Sequence, residues 1–208
     1  MTQAPQHPGA LSEADAPADD PFPLFTRWMA AAEQAGLIEP TAMALASVGS
    51  DGKPSLRLVL LKQFDARGFV FYTNYSSRKA RELDAHPQAA ATVWWDKLER
   101  QIRIEGAVQR AEPHEGDDYF AGRPRGSQLG AWASHQSEFI GSRAELERQL
   151  AEVSHRFAIG AVPRPPFWGG YRLVPERIEF WQGQPNRLHD RLLYTHTAGA
   201  WRRERLQP

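Results

Sequence analysis

Five short runs with strand character follow one another within residues 42–108: Ala42 to Val48, Leu56 to Leu61, Phe69 to Thr73, Ala89 to Trp95 and Gln101 to Val108. Their lengths suit strands rather than helices. Ser50-Asp51-Gly52 and Asp65-Ala66-Arg67-Gly68 lie between consecutive runs and have the composition of hairpin turns. Parallel neighbours need a crossover of a dozen or more residues, which links this short cannot supply. The expected fold is mainly β with flanking helices, its strands forming an antiparallel sheet or barrel.

Helical signals frame the runs. Asp20-Pro21 makes an N-cap and first turn, with Leu24, Phe25, Trp28, Met29 and Ala32 at helical spacing and Gly36 as the stop. A serine caps a short helix over 76–83, another helix starts near Pro113 and reaches Phe120, and a longer one runs from Ser142 to Phe157. The tail returns to strand at Tyr171 to Val174, Arg177 to Gln182 and Ala200 to Leu206. Residues 1–19 are rich in Ala, Pro and Gln and carry Glu13, Asp15 and Asp19 without a Lys or Arg, the composition of a flexible arm. That leaves residues 20–208 as a single domain, a length that one core can serve.

Composition narrows the function classes. Lys plus Arg equals Asp plus Glu at 25 each, so no overall positive field draws the chain to nucleic acid or an anionic membrane, and any anion site is a local cluster. The absence of Cys excludes disulfides, thiolate nucleophiles and Cys-held metal or iron–sulfur centres. The seven His are scattered, with no pair at the short spacing of a helical metal site, so no metal is expected. No run approaches a membrane span and the start lacks a signal-peptide pattern, so a cytoplasmic address is expected.

Four clusters carry candidate chemistry. In Arg187-Leu188-His189-Asp190-Arg191, an extended chain would project Arg187, His189 and Arg191 from one face, as donors for an anion; the alternative is a solvated edge strand. Arg57-Leu58-Val59-Leu60-Leu61-Lys62 is an apolar strand between two cations, which alternation puts on opposite faces, so they serve two anions, or one across a bulge, or merely end a core strand. Ser77-Arg78-Lys79 places two cations at a helix start, where unpaired N–H groups already favour an anion; a solvated basic turn competes with this reading. Tyr119, Arg123, Arg125 and Ser127 gather phosphate-suited donors around a Pro and Gly turn, or form a basic surface loop. Gln101 and Gln136-Ser137 say little alone, and Trp168, Trp181 and Trp201 read as core aromatics.

Taken together, these segments resemble the pyridoxamine (pyridoxine) 5′-phosphate oxidase family. The matching stretches are Glu39-Pro40-Thr41-Ala42-Met43, Arg57 to Lys62, Phe71-Tyr72-Thr73-Asn74 with Ser77-Arg78-Lys79, Leu98-Glu99-Arg100-Gln101, Arg123-Pro124-Arg125 with Ser127-Gln128-Leu129-Gly130-Ala131-Trp132, Phe167-Trp168-Gly169-Gly170, and Ile178-Glu179-Phe180-Trp181 with Arg187 to Arg191. They span residues 20–208 in the family's order. The resemblance implies a split β-barrel homodimer with FMN at the subunit interface, oxidising pyridoxine or pyridoxamine 5′-phosphate to pyridoxal 5′-phosphate. Hydride would pass from the substrate's C4′ to flavin N5, and O2 would reoxidise the flavin to give H2O2, with ammonia released from the amine.

Residue by residue, the resemblance puts FMN on Arg57, Leu58, Val59, Leu60, Leu61, Lys62, Tyr72, Thr73, Arg78, Lys79, Gln101, Gln136, Ser137, Trp181 and Arg191. The substrate falls on Lys62, Tyr119, Arg123, Ser127, Arg187 and His189, the last two also being the catalytic pair. Two phosphates would then account for cations on two strand faces. The stretch around Ala4 to His7 departs from the family, having no Arg or Tyr where members often carry an Arg-Arg-Glu-Tyr type segment. A non-catalytic flavin or pyridoxal-phosphate binder of the same fold is one rival reading. A haem-binding split barrel is another, which His189 between two arginines suits poorly.

Overall fold

The computed structural model describes residues 9–208. Its strands pair antiparallel in one nine-stranded sheet. The main path runs β2 (Pro54–Leu60), β1 (Ala42–Val48), β5 (Gln88–Trp95), β6 (Arg100–Arg110), β7 (Trp168–Gln182), β4 (Gly68–Asn74) and β3 (Gln63–Asp65). β8 (Asp190–Thr197) pairs with β7, and β9 (Ala200–Arg205) with β8. β2 at one end of the path approaches β4, next to the other end, so the sheet curls toward closure.

Alternation sorts the side chains. β1 buries Met43 and Leu45, while β2 buries Val59 and turns Leu56 and Leu58 outward at 69% and 72% exposure. The inner face closes on α1 (Phe22–Gln34), whose Phe25 meets Phe69 edge-on at 4.9 Å and whose Trp28 meets Phe180 at 5.3 Å. Such aromatic pairs add about 1 kcal/mol each beyond the area they bury. α1 starts as expected, the Asp20 carboxylate accepting from the Phe22 N–H at 2.9 Å.

Three expectations need correction. The tail runs at Tyr171 and Arg177 are one strand, β7, with a bulge: Glu105 faces Arg177 and Gly106 faces Pro175, so the ladder passes the proline by skipping a residue. A Cβ on Gly106 would sit 2.1 Å from the Val174 carbonyl oxygen, which is why glycine stands there. The basic turn after Arg123 is a helix, α4 (Arg125–Ala133), placed after α3 (Pro113–Ala121) and before α5 (Arg143–Arg156).

The third concerns the arm. From Gly9 onward it is not loose: Leu11 and Ala16 are buried in the main core, and Arg205 binds Glu13 at 2.5 Å and Asp190 at 2.7 Å. Tyr194 donates to the Pro17 carbonyl at 2.7 Å. The Arg205 hydrogen bond holds the Glu13 carboxyl down at about 2. The Ala4 to His7 departure lies outside the described residues. Among the described residues, no helix is long and apolar enough to cross a membrane, and no group of His, Asp or Glu is arranged to hold a metal.

Candidate functional site

A cleft of about 470 Å³ opens where β2 and β4 meet the helices. β2 supplies Leu58, Val59 and Leu60, with Lys62 just beyond; β4 supplies Tyr72, Thr73 and Asn74. Lys79 comes from α2 (Arg78–Ala85), Tyr119 from α3, and Arg123 from the link to α4. Ser127, Gly130 and Ala131 of α4, then Ser134 and Gln136, complete one side, and Trp168 of β7 the other. Among the described residues three cations line the cleft and no carboxylate does, a charge pattern that selects anions.

Local structure explains the basic end. Ser77 caps α2, its Oγ accepting from the Ala80 N–H at 3.4 Å, so Lys79 lies in the first turn beside unpaired N–H groups. The Lys79 ammonium donates to Thr73 Oγ1 and Gln136 Oε1, each at 3.0 Å, and has no carboxylate of its own among the described residues. Burial, with the Arg57 charge second and Glu82 opposing, lowers Lys79 to about 8. A desolvated ammonium with neutral partners gains most from an anion.

The opposite end is aromatic. Tyr72 stacks on Tyr119 at 4.2 Å and on Trp168 at 5.5 Å, the planes within 9° and 6° of parallel. Gly170 makes room for this, since a Cβ there would stand 3.0 Å from the Tyr72 ring. The Tyr72 hydroxyl donates to the Glu115 carbonyl at 3.0 Å, and burial raises its pKa to about 12, so it stays protonated. Glu115 in turn accepts from buried Arg172 at 2.6 Å, pinning α3 to β7. The Arg123 guanidinium lies 4.7 Å over Trp168, and its Nη1 is buried without a hydrogen-bond partner among the described residues.

The structure divides the residues named from the sequence into groups. Leu58, Val59, Leu60, Lys62, Tyr72, Thr73, Lys79, Tyr119, Arg123, Ser127 and Gln136 come together in the cleft. Arg57 and Leu61 do not line it: Leu61 belongs to the core, and Arg57 turns inward to Glu82 at 2.9 Å and Ser47 at 2.5 Å. Arg78 is 62% exposed and does not line the cleft, its Nε on Glu82 at 2.7 Å. Ser137 is exposed beside Gln136, with φ 74, and does not line the cleft.

A second group lies on the sheet. Gln101, Trp181 and Arg191 are direct neighbours across β6, β7 and β8, and His189 sits 4.4 Å from the Trp181 ring. Arg191 pairs with Glu179 at 2.7 Å. The shared strand face expected for Arg187, His189 and Arg191 is not formed, because Asn186 and Arg187 adopt left-handed φ of 59° and 61° and β8 starts only at Asp190. His189 Nδ1 instead accepts from the Gln184 N–H at 3.1 Å, which puts the hydrogen of a neutral ring on Nε2. None of this group lines the cleft.

Sequence reasoning missed Asn74, Gly130, Ala131 and Ser134 as lining residues; Trp168, read as core, is buried in a small core cluster with Phe120 and Val162 and lines the cleft as well. Only Trp168 had a usable signal, the Gly169-Gly170 pair that follows it.

Residues 29–157 match the sequence model described as pyridoxamine 5′-phosphate oxidase, and residues 168–208 match the pyridoxine 5′-phosphate oxidase C-terminal dimerisation region. A pyridoxine/pyridoxamine 5′-phosphate oxidase of Rubrobacter xylanophilus is 62% identical over 189 residues, covering 91% of this chain and 87% of that one. One from Burkholderia lata is 58% identical over 202 residues, covering 96% and 94%. Among solved structures, PhzG from Burkholderia lata in complex with tetrahydrophenazine-1-carboxylic acid superposes with a TM-score of 0.90 at 37% identity, covering 97% of this chain and 99% of that one. An FMN-binding protein of Nostoc punctiforme, 18% identical with a TM-score of 0.70 and covering 88% and 97%, shares the split-barrel fold. With both segments matched in order and relatives this close across nearly the whole chain, the protein belongs to the pyridoxamine 5′-phosphate oxidase family.

Proposed function

We propose that the chain is an FMN-dependent oxidase converting pyridoxine 5′-phosphate and pyridoxamine 5′-phosphate to pyridoxal 5′-phosphate. The observation that carries this reading is the cleft with three cations and no carboxylate, in which the buried Nη1 of Arg123 has no partner. Its ends suit two phosphates. Lys79 at the start of α2, with exposed Arg78 before it, suits that of FMN; Lys62, Tyr119, Arg123 and Ser127 suit that of the substrate. The cleft volume lies within the ordinary range for small-ligand sites, roughly 300 to 1,000 Å³.

When bound, FMN would supply the redox chemistry, taking two electrons from the substrate and passing them to O2. The alcohol then yields the aldehyde and H2O2; the amine consumes one water and also yields ammonia. The chain's own residues position the reactants. Lys62 and Arg123 anchor the phosphate, and the Tyr72 and Tyr119 rings wall the pocket. Arg187, whose guanidinium has no partner among the described residues, and His189, offering Nε2–H, would orient the pyridine ring.

We further propose that the site is completed in a homodimer. The sheet group of Gln101, Trp181, His189 and Arg191 does not reach the cleft of its own chain, and the outer face of β2 leaves Leu56 and Leu58 exposed beside it. A second copy would cover that face and bring its sheet group to the cleft.

A second reading follows from the likeness to PhzG, whose bound ligand carries a carboxylic acid. Four phosphate-suited donors at one end of the cleft favour a phosphorylated substrate instead. The test is H2O2 release with each phosphorylated vitamer and with tetrahydrophenazine-1-carboxylic acid, with and without added FMN. Peroxide from the vitamers alone is expected. Peroxide from the phenazine alone would transfer the assignment, and none from any compound would leave a flavin or pyridoxal-phosphate binder.

A further inference from the structure

We infer that Trp168 is a positioning residue that sets specificity for the phosphorylated substrate, its indole face holding the Arg123 guanidinium so that the N–H donors stay free for the phosphate. The inference rests on the proposed oxidase reading and deepens it.

Several arginines of this fold are fixed by acids: Arg172 by Glu115 at 2.6 Å, Arg191 by Glu179 at 2.7 Å, Arg164 by Asp117 at 2.6 Å. Arg123 is not. Its side chain makes no hydrogen bond or ion pair among the described residues; it is held over Trp168 at 4.7 Å and Phe120 at 5.5 Å, with Nη1 buried and unpartnered. A carboxylate would fix the guanidinium by occupying the donors a phosphate needs. An aromatic face attracts the cation through its π-cloud and leaves the in-plane hydrogens unused.

Trp168 is itself rigid. It is 6% exposed, lies parallel to Tyr72, meets Phe120 edge-on at 5.1 Å, and its carbonyl accepts from Arg164 at 2.6 Å. The guanidinium plane is therefore set before a ligand arrives, which spares the ordering cost of capture.

Trp168→Leu removes the ring and Trp168→Phe keeps a smaller, weaker one. The measurement is KM and kcat for pyridoxine 5′-phosphate, with FMN titration of the same proteins to follow the flavin site. KM is expected to rise about tenfold in Trp168→Leu and severalfold in Trp168→Phe, in each case by more than kcat falls. Should Trp168→Leu not fold, Trp168→Phe decides alone. An unchanged KM in Trp168→Phe, or a fall in kcat at constant KM, overturns the inference while leaving the oxidase assignment intact. A wild-type protein that binds FMN but oxidises neither phosphorylated vitamer overturns that assignment and this inference with it.

Discussion

Glu82 of α2 and Arg57 of β2 form an ion pair of 2.9 Å that joins the helix to the strand behind the cation end of the cleft. Glu82 is buried and also accepts from Ser47 at 2.6 Å, Ser55 at 2.5 Å and Arg78 at 2.7 Å. Burial works to raise its pKa, but these hydrogen bonds outweigh it and bring the carboxyl down to about 2. Arg57 thereby braces α2 against β2.

Glu82→Ala should therefore destabilise the fold. It leaves a largely buried guanidinium without its acid and two hydroxyls without their acceptor. Breaking a buried pair by removing one partner costs roughly 3 kcal/mol. Urea unfolding measures it, and a loss below about 1 kcal/mol would mean that water replaces the carboxylate.

Lys79→Ala should weaken FMN binding more than Arg78→Ala, since only Lys79 lines the cleft. The lost charge-assisted contact is worth about 1.5 to 3 kcal/mol, roughly ten- to a hundredfold in affinity. Lys79 titrates near 8 in the free protein, and a bound phosphate would favour its charged form and move that value upward. FMN affinity should then fall as pH rises above about 8, and Lys79→Arg should flatten the decline. Fluorescence titration across this range tests both points; a pH-independent affinity in the wild type would remove Lys79 from the phosphate.

Leu56→Asp probes the outer face. Leu56 is 69% exposed and does not line the cleft, so the change should leave the isolated chain folded. A charge in the centre of an apolar contact should dissociate the dimer and release FMN. Sedimentation with flavin absorbance reads both together. A Leu56→Asp dimer with full flavin would place the interface elsewhere.

Strands and the cleft's cations are legible in the sequence because each depends on local chemistry. Alternation in Leu56 to Leu61 separates Arg57 from the Leu58, Leu60 and Lys62 side, and the structure puts the latter three in the cleft, with Val59 of the Arg57 side lining it too. Ser77, Pro113 and Ser142 mark helix starts by the same local logic. What stays hidden is set by tertiary contact. Gly126, Ser127 and Gly130 disguise α4, which Gln128 holds to the end of α3 through the Phe120 carbonyl at 2.9 Å. Left-handed backbone at Arg187 has no mark of its own, and the polar arm looks loose until Tyr194, Arg203 and Arg205 are seen to grip it.

The division of the site residues into a cleft group and a sheet group allows a complementation test. Arg123→Ala should cripple the first group and Arg187→Ala or His189→Ala the second, each lowering the rate on the order of a hundredfold if it misplaces the substrate by about 1 Å. Suppose each site takes its cleft from one chain and its sheet group from the other. A dimer of one Arg123→Ala chain and one His189→Ala chain then has one doubly damaged site and one intact site. Random mixing makes about half the dimers mixed, so about a quarter of wild-type activity should return from two nearly inactive proteins. Dissociating, mixing and reassociating the variants, then following anaerobic flavin bleaching by stopped flow, measures the recovered fraction. If each chain built its site alone, every site would carry one lesion and mixing would restore nothing, so a mixture no faster than its components would assign both groups to a single protomer.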